Sequence, residues 1–295
     1  MDPIGDFINE QEWLEPVEKA LGATADSLFG RLMPFSQRVR NFLHGVWLGH
    51  PLHPVITDVP VGAWTIAAVF DTYELATGDK TFAPGADVAV GVGLLGAVGA
   101  AATGLNDWNS TYEKPRRVGA VHAIVNITAT ACYAFSWYQR RHGCRRAGLT
   151  SGLTGYALSA VGAWLGGHLV FHERIGVNHA PGELPTTFTP VMPVADLPEN
   201  KLFKAEVKGI AIILVRRGAR ISVLAEKCSH LGGPLAEGKL EGDTVVCPWH
   251  YSRFSIRDGS VIDGPATYVQ PCFEVRVRNG QIEIRTPPGM TPEPY

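Results

Sequence analysis

Apolar residues crowd between positions 46 and 172, and beyond them the chain turns into short alternating stretches separated by charges. Four apolar stretches, 55–76, 84–105, 118–138 and 149–172, each reach the roughly 20 residues that one helical bilayer crossing needs. They predict a four-helix transmembrane bundle. Trp47, Trp108 and Trp137 fall near the ends of the stretches, where aromatic side chains favour the membrane interface. Gly96, Ala100 and Gly104 stand four apart on the second stretch, and Gly162 and Gly166 on the fourth, a spacing that lets helix backbones approach closely. Four buried helices of a soluble domain are the alternative, disfavoured by the short polar loops and the scarcity of charge. Asp58, Asp71, Glu74 and Asp87 are the exceptions, and ionisable groups at such depth are functional or paired.

Upstream, residues 1–45 carry Trp13, Leu14, Val17 and Leu21 at helical spacing, then Leu28, Phe29 and Leu32. This predicts an amphipathic helical segment, lying on a membrane surface or packed on the protein. The first residues lack a basic stretch followed by an apolar one and do not read as a secretory signal. Downstream, Pro181, Pro185, Pro190 and Pro193 mark 179–193 as an extended linker. Short strands are predicted at 204–207, 210–216, 221–225, 245–247, 254–256, 273–278 and 281–285, with turns at Asp258-Gly259 and Asn279-Gly280. The expected architecture is two-domain: the all-α four-helix membrane bundle over 46–178, then a small all-β antiparallel sandwich or barrel over 194–288. Residues 289–295 are expected to be a disordered tail.

A length of 295 residues accommodates two domains, and a net charge of −2 excludes a nucleic-acid partner as the expectation. Of five cysteines, Cys132, Cys144 and Cys272 show no paired spacing, which fits a reducing compartment. Six basic residues flank the spans on the side of the termini (Arg38, Arg40, Lys114, Arg116, Arg117, Arg174). Five lie opposite (Lys80, Arg140, Arg141, Arg145, Arg146). The asymmetry favours cytoplasmic termini and a cytoplasmic C-terminal domain.

The chemistry is concentrated between Cys228 and Ser252. Cys228-Ser229-His230 is followed by Leu231-Gly232-Gly233-Pro234-Leu235, and then by Cys247-Pro248-Trp249-His250. Two cysteines and two histidines suit a zinc site or an iron–sulfur site. Zinc sites usually group Cys with Cys and His with His, which this segment does not. The segment resembles the Rieske iron–sulfur family, in which His₂ replaces Cys₂ on one iron of a [2Fe–2S] cluster. The resemblance implies that Cys228 and Cys247 bind one iron and His230 and His250 the other. It also implies that Gly233 and Trp249 stand where respiratory relatives carry a disulfide, and that Gly264-Pro265-Ala266 matches the family's proline loop. Ser252 matches a serine that bonds a bridging sulfide, and Phe254 replaces a tyrosine that bonds a ligating sulfur. With fewer hydrogen bonds to sulfur, the implied potential lies at roughly −150 to 0 mV.

Ten histidines are present, and five of them cluster by position: His50 and His53 at the start of the first span, His122 in the third, His168 and His172 at the end of the fourth. Alternating span directions bring these five to the face that carries the C-terminal domain. A haem b or non-haem metal site, a quinone or proton-relay site and a structural hydrogen-bond network all remain open. Residues 45–175 resemble an uncharacterised bacterial four-span membrane family that opens with His50-Pro-Leu-His53-Pro, a resemblance that implies no activity. The expected function is a membrane-anchored Rieske protein passing single electrons between its cluster and a membrane-side haem, metal or quinone, or a redox partner protein, with membrane lipid as surroundings. The rival is a membrane iron oxygenase or hydroxylase fused to its own electron donor, since His50-x-x-His53 and His168-x₃-His172 resemble histidine boxes. The lack of a His-His pair, and only seven histidines on the side of the termini where such families use eight or more, rank it second. A membrane half that is an anchor alone is the third reading.

Overall fold

The computed structural model describes residues 2–30, 36–181 and 184–288. The helices are α1 (Pro3–Asn9), α2 (Leu14–Gly30), α3 (Ser36–His44), α4 (Leu52–Thr77), α5 (Ala83–Trp108), α6 (Glu113–Arg141) and α7 (Arg145–Phe171). The chain divides into two units, one formed by Met1–Ser36 and Leu52–Ile175, the other by Gln37–Pro51 and Gly176–Tyr295.

In the first unit, Asp2 starts α1: its Oδ1 accepts the Gly5 N–H at 3.0 Å, and Pro3 fills the first turn, where a missing N–H costs nothing. Short connections make α4 and α5, and α6 and α7, packed neighbours. Glycines permit the close approach: a Cβ on Gly93 would fall 2.1 Å from Trp64 Nε1, and one on Gly155 would fall 2.9 Å from Tyr133 Cδ2. The Trp64 and Tyr133 rings stack at 4.1 Å between these helices.

Among the described residues, three helices, α4, α5 and α6, are long and apolar enough to cross a membrane. The fourth expected crossing corresponds to α7, which has the length, 27 residues, but a sequence diluted by glycine, serine and threonine and headed by Arg145 and Arg146. Val88, Leu95 and Val98 of α5 lie exposed, a surface suited to lipid. Of the four acidic residues expected to be functional or paired, Asp71, Glu74 and Asp87 are paired, whereas Asp58 is exposed. Arg140 Nη1 bonds Asp71 Oδ1 and Asp87 Oδ1, each at 2.9 Å, and its Nη2 bonds Asp71 Oδ2. Arg145 grips Glu74 at 2.7 Å and Asp87 at 3.1 Å. One ionic network thus ties all four helices together.

The second unit holds ten strands: β1 (Thr189–Pro193), β2 (Phe203–Val207), β3 (Ile210–Arg217), β4 (Arg220–Ala225), β5 (Lys239–Glu241), β6 (Thr244–Val246), β7 (Arg253–Ser255), β8 (Val261–Asp263), β9 (Glu274–Arg278) and β10 (Gln281–Arg285). They form three antiparallel sheets, in the orders β1-β10-β9, β2-β3-β4 and β5-β6-β7-β8. The alternation of β3 explains its unbroken apolar run. Ile212 and Leu214 enter one core with Val223, Ile282 and Ile284, while Ile213 and Val215 enter another with Leu224, Cys228, Cys247 and Phe254.

Residues 189–193, assigned to the linker from their prolines, are instead strand β1, paired with β10. Proline is tolerated on such an edge strand and at a bulge, and the register slips between Pro190 and Met192. The three-residue strands β5 and β8 also escape the pattern, being too short for two full alternations. The amphipathic segment 1–45 is three helices, of which α3 groups with the β unit. Leu32 and the tail 289–295 lie outside the described residues.

Candidate functional site

Two loops build the site, one leaving β4 and one joining β6 to β7. In the first, Cys228 N–H donates to Gly233 O and Gly232 N–H to Cys228 O, both at 2.9 Å. Gly232 has φ +78°, a conformation that favours glycine. In the second, Cys247 N–H donates to Ser252 O at 2.9 Å and Tyr251 N–H to Cys247 O at 3.1 Å. Buried Gln270 braces the first loop: Nε2 donates to Ala225 O and Lys227 O at 2.8 Å, and Oε1 accepts from Ser229 N–H at 2.9 Å. Ser252 Oγ accepts Ala266 N–H at 3.0 Å, joining the second loop to the Gly264-Pro265-Ala266 segment.

The loops bring together all four residues singled out from the sequence. Cys228 and Cys247 are each 1% exposed and close enough for one sulfur to hydrogen-bond the other. His230 Nδ1 and His250 Nδ1 lie 3.3 Å apart, with the rings nearly perpendicular. Two imidazole nitrogens about 2.1 Å from one tetrahedral ion would be about 3.4 Å apart, so this pair fits a shared metal. Burial lowers His250 to about 4. Burial, then His250, His44 and His179, push His230 well below its ordinary value, so both rings stay neutral, the form that ligates. The Cys228 hydrogen bond lowers Cys247, helped by the N–H groups of Trp249 and His250 against the effect of burial. Cys228 is raised by the same bond and by burial. The pair therefore yields one thiolate readily, and N–H groups already face the sulfur that carries its charge.

Gly233 and Trp249 are adjacent across the loops: a Cβ on Gly233 would meet Cys247 Sγ at 2.8 Å and Trp249 Cδ2 at 3.1 Å. Phe254 is fully buried in the core cluster that contains both cysteines, with no hydroxyl to offer.

Sequence reasoning missed the segment that covers the proline loop. Asn41 Nδ2 donates to Asp263 Oδ1 at 2.9 Å, and Gly264 N–H donates to Asn41 Oδ1 at 3.0 Å. His44, 1% exposed, packs where a Cβ on Gly264 would be 3.1 Å from its Cδ2. His179 N–H donates to Ser229 O at 2.9 Å, and Tyr268 OH to Gly176 O at 3.1 Å. Only the polar spacing of Asn41 and His44 on one short helix hinted at this.

The five membrane-side histidines separate. His50 is exposed and belongs to the β unit, its Nδ1 3.1 Å from Pro51 O. His53 and His122 face each other edge-on with ring centroids 6.5 Å apart. His53 Nδ1 is 3.1 Å from Thr103 Oγ1, and His122 Nδ1 donates to Gly162 O at 2.9 Å. Gly104 and Gly166 leave space for these rings: a Cβ on either would fall within 3.3 Å of an imidazole Cε1. His168 and His172 stack on each other at 4.8 Å at the end of α7.

Comparison with known proteins covers both halves. The family described as predicted membrane protein (DUF2231) matches residues 49–179. The Rieske [2Fe–2S] domain family matches residues 187–274. The 3-phenylpropionate/cinnamic acid dioxygenase ferredoxin subunit of Escherichia coli (strain K12) is 34% identical over 96 residues, covering 32% of this chain and 90% of the relative. The chain belongs to the Rieske [2Fe–2S] family. Its C-terminal part is a Rieske ferredoxin-type electron-transfer domain, and that domain carries a [2Fe–2S] cluster. Apoptosis-inducing factor 3 of Homo sapiens is 29% identical over 119 residues, 40% of this chain. The match spans only 20% of the length of that relative. Among solved structures, the ferredoxin of carbazole 1,9a-dioxygenase from Nocardioides aromaticivorans IC177 is 23% identical, with 35% of this chain and 100% of that chain covered and a TM-score of 0.33.

Proposed function

We propose that this chain is a membrane-anchored Rieske protein in which Cys228 and Cys247 hold one iron and His230 and His250 the other. The convergence of the two Nδ1 atoms, 3.3 Å apart and backed by two buried cysteines, is the observation that carries this reading. A bound cluster supplies one-electron exchange. The residues around it keep the imidazoles neutral and aim N–H groups at sulfur, which favours the more negative reduced state. Replacing His230 or His250 by alanine should abolish a Rieske-type EPR spectrum in an otherwise folded chain. Stoichiometric zinc without acid-labile sulfide in the wild type would overturn the assignment.

The anchor in this reading is residues 46–178, with α7 as a fourth crossing beside α4, α5 and α6, and with the Rieske domain in the cytoplasm. The surplus of basic residues on the side of the termini supports that orientation. An impermeant maleimide should then label Cys144, exposed in the α6–α7 connection, in intact cells. Labelling only after lysis would reverse the orientation.

Electrons in this reading pass within the membrane rather than to a soluble oxygenase. The segment that packs beside the proline loop, 37–51, continues directly into α4, which supports an acceptor in the membrane half. The facing imidazoles of His53 and His122 would hold the acceptor, whether haem b, non-haem iron or a quinone. Visible bands, iron beyond two per chain, or extractable quinone distinguish the three. His122→Ala should remove the group while the Rieske signal survives. An oxygenase fused to its own donor would instead show non-sulfur iron and substrate-dependent oxygen uptake.

A further inference from the structure

A second cluster of donor atoms lies elsewhere in the helical unit, where the end of α7 meets the start of α1. His168, in the last turn of α7, and His172, its C-cap, are four apart, and their rings stack on one side of the helix end. Both Nε2 atoms face one carboxylate oxygen: Asp2 Oδ2 lies 3.2 Å from His168 Nε2 and 3.5 Å from His172 Nε2. Glu173 Oε1 is 3.7 Å from His168 Nε2.

The longer separations exceed the hydrogen-bond range of about 2.7–3.2 Å. Donors bound at about 2.0–2.2 Å to one tetrahedral ion stand roughly 3.3–3.6 Å apart, close to what is observed. We propose that Asp2, His168 and Glu173 form a binding site for a first-row divalent transition metal ion, separate from the Rieske cluster.

Three further observations support this. Glu173 Oε1 is buried and makes no hydrogen bond, and a buried carboxylate oxygen left in that state is costly. Asp2 spends Oδ1 on the Gly5 N–H at the start of α1, which fixes Oδ2 toward the histidines. His168 also occupies the last turn of α7, the negative end of a helix, where positive charge is favoured.

Lys114 tests the idea from the opposite direction. Its ammonium lies 2.6 Å from Asp2 Oδ2, 2.7 Å from Asp6 Oδ1 and 3.7 Å from Glu173 Oε1. With neutral imidazoles, the three carboxylates and one ammonium leave two negative charges, the charge a divalent cation neutralises. Lys114 can release Asp2 and keep the exposed Asp6. It therefore competes with metal for one oxygen. An imidazole with two carboxylates suits iron(II), manganese(II), cobalt(II) or zinc(II), not calcium or magnesium.

The test uses the purified full-length chain in detergent, with its cluster intact, titrated with Co²⁺ and followed by ligand-field absorption and metal counts. One Co²⁺ per chain should bind beyond the two cluster irons. Asp2→Asn, His168→Gln and Glu173→Gln should each weaken binding by on the order of 10–100-fold. Asp2→Asn keeps the oxygen that caps α1, and the Rieske EPR signal on each sample reports folding. Lys114→Met should tighten Co²⁺ binding, whereas in a plain ion-pair network it would only remove a stabilising partner. Absence of a cobalt spectrum in the wild type, equal affinity in the three ligand variants, or unchanged or weaker binding in Lys114→Met would each overturn the proposal.

Discussion

At Gly233 a single hydrogen decides whether the two cluster loops can close. An added methyl group would meet Cys247 Sγ at 2.8 Å and the Trp249 ring at 3.1 Å, with no flexible chain end to yield. Gly233→Ala should therefore lower the iron and sulfide content of the purified protein well below the wild-type ratio. Phe254 offers the converse change. Buried in the core cluster with both cysteines, it lacks the hydroxyl that Phe254→Tyr would introduce. A new hydrogen bond to sulfur worth about 1 kcal/mol corresponds to a rise of about 40 mV in a one-electron potential. Redox titration by EPR measures it, and a fall in a folded variant would place the ring elsewhere. That Cys228, His230, Cys247 and His250 would meet, and that Gly233 would face Trp249, was legible through the resemblance to the Rieske family, and the two short loops do bring these residues together. Gln270 was not legible, since its partner Ser229 lies 41 residues away and nothing local marks a bracing glutamine.

The helices carry their length and apolar faces in sequence, so α4, α5 and α6 could be located to within a few residues. What linear order concealed was the destination of the charges. Asp71, Glu74 and Asp87 looked isolated along the chain, yet they meet Arg140 and Arg145 once four helices stand side by side. Arg140, 1% exposed at the side chain, also holds Ser136 Oγ at 3.0 Å through Nε. Arg140→Ala strands Asp71 and should cost about 3–5 kcal/mol, read as a lower midpoint of thermal unfolding in detergent. Replacing both partners, Arg140→Met with Asp71→Leu, should recover most of that loss, because no buried charge is then left alone. In the other unit, β1 was hidden by its prolines, which mark a loop in most contexts and an edge strand only when a partner such as β10 is present.

At the scale of the whole molecule, the β unit is assembled from two stretches of sequence separated by the long apolar helices. Sequence patterning could place both stretches but could not join them, because the Asn41–Gly264 contact spans 223 residues. That join is testable through Asn41→Ala, which removes two hydrogen bonds to the Asp263–Gly264 segment and should speed reoxidation of the reduced cluster by small soluble oxidants. The same join has a consequence for proteolysis. A single cut in the proline-containing stretch before β1 severs the peptide bonds between α7 and the Rieske domain, and in an ordinary tethered domain it would release a soluble fragment. Here the fragment still grips residues 37–51, which remain covalently attached to α4, so the severed domain should sediment with the membranes as a nicked but assembled protein. Combining the cut with Asn41→Ala and His44→Ala should send the fragment into the supernatant.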